Sequence, residues 1–100
     1  MTVYTVSSGQ TLIGVTLSSG DIDNVLSGGT AFVTTIDSGG NQYVSAGGAA
    51  SGTIINSGGF EVVDSGGVAS GTVIDGGGRE AIDAGGTDFN AAISAGGTHI

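Results

Sequence analysis

Nine carboxylates, one histidine and many serines are the groups in this chain able to move protons, attack a substrate or hold a metal. Two carboxylate pairs recur at one interval: Glu61 and Glu80 are 19 residues apart, as are Asp64 and Asp83. Paired carboxyls can divide acid and base work between them, and parallel β-helices host enzymes that do so. The only imidazole, His99, stands next to the last residue, where a fraying terminus holds no base in place. Serine and aspartate are so common that a Ser/Asp neighbour carries no information. Both carboxylate pairs are read as solvated faces, and no catalytic residue, cofactor or enzymatic activity is expected. Calcium-binding nonapeptides place aspartates at fixed offsets in glycine-rich turns. Gly76-Gly77-Gly78-Arg79-Glu80 has the glycines without that spacing. Asp21, Asp23 and Asp88 are left as an incidental cluster, and no dedicated metal site is expected.

Charge narrows the partners. Arg79 stands alone against nine carboxylates, for a net charge of −8. Nucleic acid and anionic membranes need clustered Lys and Arg, so neither is an expected partner. There is no cysteine, so disulfides play no part. No stretch is long and apolar enough to insert directly into a membrane. Residues 1–10 lack the basic start and apolar run of a signal peptide. If the protein is exported, its targeting and anchoring segments are expected outside this sequence.

The interval of 19 governs the whole chain. Leu17, Ile36, Ile55, Ile74 and Ile93 form one column at that step, and Val6, Val25, Val44, Val63 and Ile82 another. Gly9, Gly28, Gly47, Gly66 and Gly85 form a third, and Gly20, Gly39, Gly58, Gly77 and Gly96 a fourth. Such a period marks a solenoid, in which each repeat buries its apolar side only by stacking on its neighbours. The 22 glycines, against an average share of about 7%, are therefore punctuation and not disorder. Most turns are glycine doublets, and Gln10 and Asp21 replace the second glycine in the first repeats. Between turns lie short β-formers: Val3–Ser7, Gln42–Ser45 and Glu61–Asp64 on one side. Val15–Ser18, Thr34–Asp37, Thr53–Asn56 and Thr72–Asp75 lie on the other. A further corner is expected at Gly14, Gly52 and Gly71, where Val33 and Asn90 hold the same position.

These features define an all-β fold: a single-stranded parallel β-helix, or β-solenoid, of about five 19-residue rungs in one domain over residues 1–100. The repeats run 1–19, 20–38, 39–57, 58–76 and 77–95, with a partial one at 96–100. A right-handed coil is expected from the handedness of parallel crossovers. The Ile and Val columns line the interior. Thr34, Thr53 and Thr72 form a buried or half-buried ladder able to pass hydrogen bonds between rungs. Ser18, Asp37, Asn56, Asp75 and Ser94 precede a turn and are expected to bond its amides. Asp23, Glu61, Arg79 and Glu80 are assigned to the outer faces. Phe32 and Phe89 share a column interrupted by serines, which is no sugar-binding platform.

Asp37-Ser38-Gly39-Gly40-Asn41-Gln42-Tyr43-Val44-Ser45-Ala46-Gly47-Gly48 and Ala50-Ser51-Gly52-Thr53-Ile54-Ile55-Asn56-Ser57-Gly58-Gly59-Phe60 resemble the repeats of AIDA-type autotransporter adhesin passengers. The resemblance covers the whole chain. It implies a bacterial cell-surface or extracellular β-helix that mediates adhesion to host or bacterial surfaces, self-association or biofilm formation. It also implies O-glycosylation by heptose on serines before the glycine turns: Ser8, Ser19, Ser27, Ser38, Ser57 and Ser65. Ala46, Gly76, Ala84 and Ala95 hold those positions elsewhere, so no modification is expected there. The alternative reading is an extracellular filament that grows head to tail through open ends. No polar cap is evident in the sequence, and the pairing residues would be Val3, Tyr4, Val6, Ile93, His99 and Ile100.

Overall fold

The computed structural model of the protein describes residues 2–89, 91–93 and 98–99. Each rung carries three short strands, because two tight turns and one corner break every 19 residues. The first sheet stacks Val3–Val6, Ile22–Val25, Asn41–Val44, Phe60–Val63, Arg79–Ile82 and Thr98–His99. The second stacks Thr11–Ile13, Thr30–Phe32, Ala49–Ser51, Val68–Ser70 and Thr87–Phe89. The third stacks Thr16–Leu17, Thr35–Ile36, Ile54–Ile55, Val73–Ile74 and Ala92–Ile93. All pairings are parallel, and each residue lies beside its equivalent one repeat away, as in Val6↔Val25 and Leu17↔Ile36. The β-solenoid of about five turns is thus the observed architecture. The second sheet was not foreseen: the sequence marked one strand and a corner where two strands stand.

The glycine doublets turn the chain for two different reasons. The first member takes a left-handed backbone, as at Gly28 (φ 78°) and Gly58 (φ 83°), which a Cβ disfavours. The second lies against the rung before it. A Cβ on Gly29 would sit 2.2 Å from the Val6 carbonyl oxygen, and one on Gly59 2.4 Å from that of Ile36. Turn amides continue the sheet ladders: Gly28 N–H donates to Gly47 O (2.9 Å), and Gly47 N–H to Gly66 O (3.0 Å). The corners therefore leave few backbone groups wanting, as a narrow coil requires.

Two apolar clusters fill the interior. Leu17, Ile36, Ile55 and Ile74 are fully buried in one, with Tyr4 and Val15 against them. Val25, Val44 and Val63 pack with Ala31, Ala50 and Ala69 in the other, with Ile82 at its edge. Each large aliphatic buried this way contributes about 1.5–3 kcal/mol. Polar side chains run between the two clusters.

Candidate functional site

Side chains alternate across a strand, so a residue two before an inward valine also points inward. In the first sheet that residue is Asp23, Gln42, Glu61 or Glu80, and all four are fully buried. The assignment of Asp23, Glu61 and Glu80 to solvated outer faces is therefore wrong. Strand alternation overrides their charge. Only Arg79 of that group is exposed, its guanidinium carbon 5.6 Å from the centre of the Phe60 ring. Asp64 and Asp83 lie at the corner beyond the first sheet, half-buried and exposed respectively, as expected of a solvated pair.

The buried column and the threonine ladder form one spine. Gln42 Nε2 donates to Asp23 Oδ2 (3.0 Å) and to Thr34 Oγ1 (3.3 Å). Thr53 Oγ1 donates to Gln42 Oε1 (3.2 Å). Thr34, Thr53 and Thr72 are fully buried. The ladder passes its hydrogen bonds through Gln42 and not from threonine to threonine. Further along, Glu61 contacts Thr53 and Glu80, and Glu80 contacts Glu61 and Asp88. Thr53 has one hydroxyl proton and cannot give it to both Gln42 and Glu61. Two carboxyls can share a hydrogen bond only if one keeps its proton.

Electrostatics agree with that requirement. Burial pushes Glu61 well above the usual carboxylate range, and Asp88 and Asp23 add to the rise. Burial raises Glu80 further, with Asp88 and Glu61 beside it. Asp23 is also raised by burial, and its bond from Gln42 offsets part of that. The chain's one Lys or Arg is Arg79, on the outside, so it does not neutralise the spine. Among the described residues, no three His, Cys, Asp or Glu side chains are disposed to hold a metal ion. An open depression lined by Thr5, Val6, Gln10, Thr11 and Leu12 lies at the N-terminal edge and contains none of these carboxyls. Asp23, Glu61 and Glu80 lie fully buried, away from that depression.

The six candidate acceptor serines lie outside. Ser8, Ser27 and Ser65 stand on one corner ridge, and Ser19, Ser38 and Ser57 on a second, all exposed. Each lies over the first turn glycine of the next rung. A Cβ on Gly47 would come within 2.6 Å of Ser27 Oγ, and one on Gly77 within 2.5 Å of Ser57 Oγ. Glycine there keeps the hydroxyls uncovered.

The first two turns hold side-chain bonds to backbone amides that the sequence did not reveal. Gln10 Oε1 accepts from Ser7 N–H (2.9 Å). Asp21 accepts from Ser18 N–H (3.0 Å) and Thr2 N–H (2.8 Å), which hold its carboxyl below its ordinary range. One repeat on, Leu26 and Asp37 occupy the positions of Ser7 and Ser18, and their amides bond carbonyls of the preceding rung, Val6 O and Leu17 O. The column ahead of the second turn also behaves differently from expectation. Asn56 Nδ2 donates to Asp37 Oδ1 (2.8 Å), a side-chain bond between rungs. Of the proposed end-pairing residues, Val3 is exposed, Tyr4 half-buried and Val6 buried. Ile100 and the side chains of Ile93 and His99 lie outside the described residues, as do Ser94, Ala95 and Asn90.

The fold has close likenesses. Residues 25–78 match the family profile AIDA, described as an adhesin of the bacterial autotransporter system, probable stalk. Among solved structures, a TibC-catalysed hyper-glycosylated fragment of TibA superposes with a TM-score of 0.95 at 38% identity. The match covers 98% of this chain and 35% of that one, so the chain spans about a third of the matched structure. No curated protein matches the sequence.

Proposed function

The chain belongs to the AIDA family of bacterial autotransporter adhesins, and from that premise we propose that it is a rigid stalk segment that holds adhesive faces at the bacterial surface. A bacterial adhesin-like solenoid is what family and fold establish. The observation that carries the stalk reading is the unbroken stack: three parallel sheets, one register and an interior closed to ligands. Such a body has faces to offer, and its Asp23, Glu61 and Glu80 carboxyls are buried inside it. Self-association side by side, and biofilm formation through it, use those faces.

The two serine ridges extend the reading. We propose Ser8, Ser19, Ser27, Ser38, Ser57 and Ser65 as O-glycosylation acceptors, supported by their exposure and by the open space that the facing glycines leave. The related TibA fragment is itself hyper-glycosylated. A glycan at these corners would project from both edges of the outer faces.

The head-to-tail filament is the competing assembly. A rung laid against the N-terminal edge has to bring its carbonyls toward Gln10 and Asp21, where every other rung has glycine. It also has to displace the two side chains from the amides they cap. Sedimentation velocity and negative-stain microscopy of residues 1–100 over a concentration series at neutral pH separate the two. Monomers or lateral clusters are expected, with end-to-end association only in a Gln10→Gly, Asp21→Gly double variant. Long unbranched fibres of the unaltered chain would overturn the stalk reading in favour of the filament.

A further inference from the structure

The two halves of the buried spine differ in what they need to stay closed. Toward the N-terminus, one carboxylate, Asp23, is bonded by the Gln42 amide, and Thr34 and Thr53 complete that set. Toward the C-terminus Glu61 and Glu80 lie side by side in strand register, both fully buried, with Asp88 beside Glu80. They come from two sheets, Glu61 and Glu80 from the first and Asp88 from the second. Thr72 flanks them as Thr34 and Thr53 flank Gln42. Its Oγ is fully buried and has no hydrogen-bond partner. The other titratable groups of the column are Asp23 and Tyr4, while Arg79 is on the outer surface. His99 follows Glu80 in register.

We propose that Glu61 and Glu80, with Asp88 beside them, form a proton-held latch that closes the C-terminal rungs while the two glutamates hold protons and loosens them when those protons are lost. On loss, the proton passes to solvent. A carboxyl–carboxyl hydrogen bond is then replaced by two like charges about one strand spacing, roughly 4.8 Å, apart. Arg79, the chain's one Lys or Arg, stands on the outer surface, and both glutamates are fully buried, so the new charges arise where water does not screen them. The sign follows from linkage. Both glutamates are raised in the folded state, so they keep protons that the unfolded chain has already released. Their contribution is fully present below the ordinary glutamate value of about 4.3 and is lost as pH rises through the folded values. Each proton so held changes the closed-to-loosened ratio by about tenfold per pH unit across that window.

The chain offers a clean readout, because Glu61 and Glu80 are its only glutamates. Carbon-13 labelling of glutamate carboxyls gives two resonances to follow from pH 3 to 10 by NMR. Both are expected to stay at the protonated shift through pH 5 and to move only at neutral pH or above. Amides of Phe60–Val63 and Arg79–Ile82 should lose exchange protection in the same range, while those of Ile22–Val25 keep theirs. A Glu61→Gln, Glu80→Gln double variant should abolish the alkaline loosening, and a surface Asp64→Asn, Asp83→Asn variant should retain it. Midpoints near the ordinary value would overturn the latch, as would equal loosening at both ends, which is the signature of general self-repulsion. Removal of the alkaline step by added calcium alone would also overturn it, by making the cluster a cation site. If the double variant does not fold, the carboxyl titration of the unaltered protein still decides.

Discussion

Val33 takes a left-handed backbone (φ 55°) where Gly14, Gly52 and Gly71 hold the equivalent corner. An L-residue there costs about 1–2 kcal/mol. Glycine brings an entropy cost of about 0.5–1 kcal/mol in return. The Val33 side chain is 54% exposed, so little packing is lost with it. Val33→Gly should therefore stabilise the fold by roughly 0.5–1 kcal/mol. That appears as a higher urea midpoint at unchanged slope, and a lower midpoint would show that the valine makes contacts worth more than its strain. The corner itself was legible, since three of its four glycine-or-valine positions are glycine. The buried carboxyls were legible too, two residues before the inward Val25, Val63 and Ile82, but their charge favoured the outer-face reading. A free carboxylate does not enter a core, and a protonated one does. Composition records the residue and not its proton, which is why Asp23, Glu61 and Glu80 were misplaced.

Among the elements, the turns carry more of the fold than the strands. Strands of two to four residues hold together because every turn also joins the ladder. A turn glycine in the first rung and the second glycine of a later doublet should respond differently to alanine. At Gly9 (φ 79°) nothing lies within 4 Å of an added Cβ, so only backbone strain applies, about 1–2 kcal/mol. At Gly59 the backbone is not left-handed, but the Cβ would meet Ile36 O at 2.4 Å and Ile36 Cγ2 at 2.9 Å. Overpacking of this kind against rigid backbone costs roughly 3 kcal/mol or more. Chemical denaturation of Gly9→Ala and Gly59→Ala tests the ranking, and equal losses would remove the steric role of the second glycine. Gln10 and Asp21 hold the second-glycine position in the first two turns and reach back to bond the Ser7 and Ser18 amides. Glycine spacing marked the turns but not their two duties. The second sheet escaped notice because its strands, such as Ala49–Ser51, have alanine and serine where β-formers were sought.

For the whole molecule, the period of 19 makes rungs interchangeable in register but not in the spine, and excising single rungs can separate the two. Removing residues 39–57 joins Ser38 to Gly58 and keeps every column aligned, but it deletes Gln42 and sets Asp23 directly beside Glu61. Removing residues 20–38 also keeps the register, but it deletes Asp23 and leaves Gln42 in contact with Glu61. Both variants lose one rung of burial and should melt below the parent, as nearest-neighbour stacking requires. Their response to pH should differ. The first puts four carboxyls in an unbroken run and must hold an additional proton to stay folded. Each such proton steepens the fall of stability by up to about 1.4 kcal/mol per pH unit above the unfolded carboxylate range. Surface charge complicates the comparison, since the second excision also removes Asp21 and Asp37 while the first removes no carboxylate. Melting at about 0.5 M salt suppresses that difference, because exposed charges are screened over a few ångströms and buried ones much less so. Circular dichroism melts at pH 5 and pH 8.5 then decide. The first excision should lose more on the alkaline step than the parent, and the second no more than the parent. Equal alkaline losses in both would mean that the interior carboxyls do not set the pH response, and that the acidic surface does.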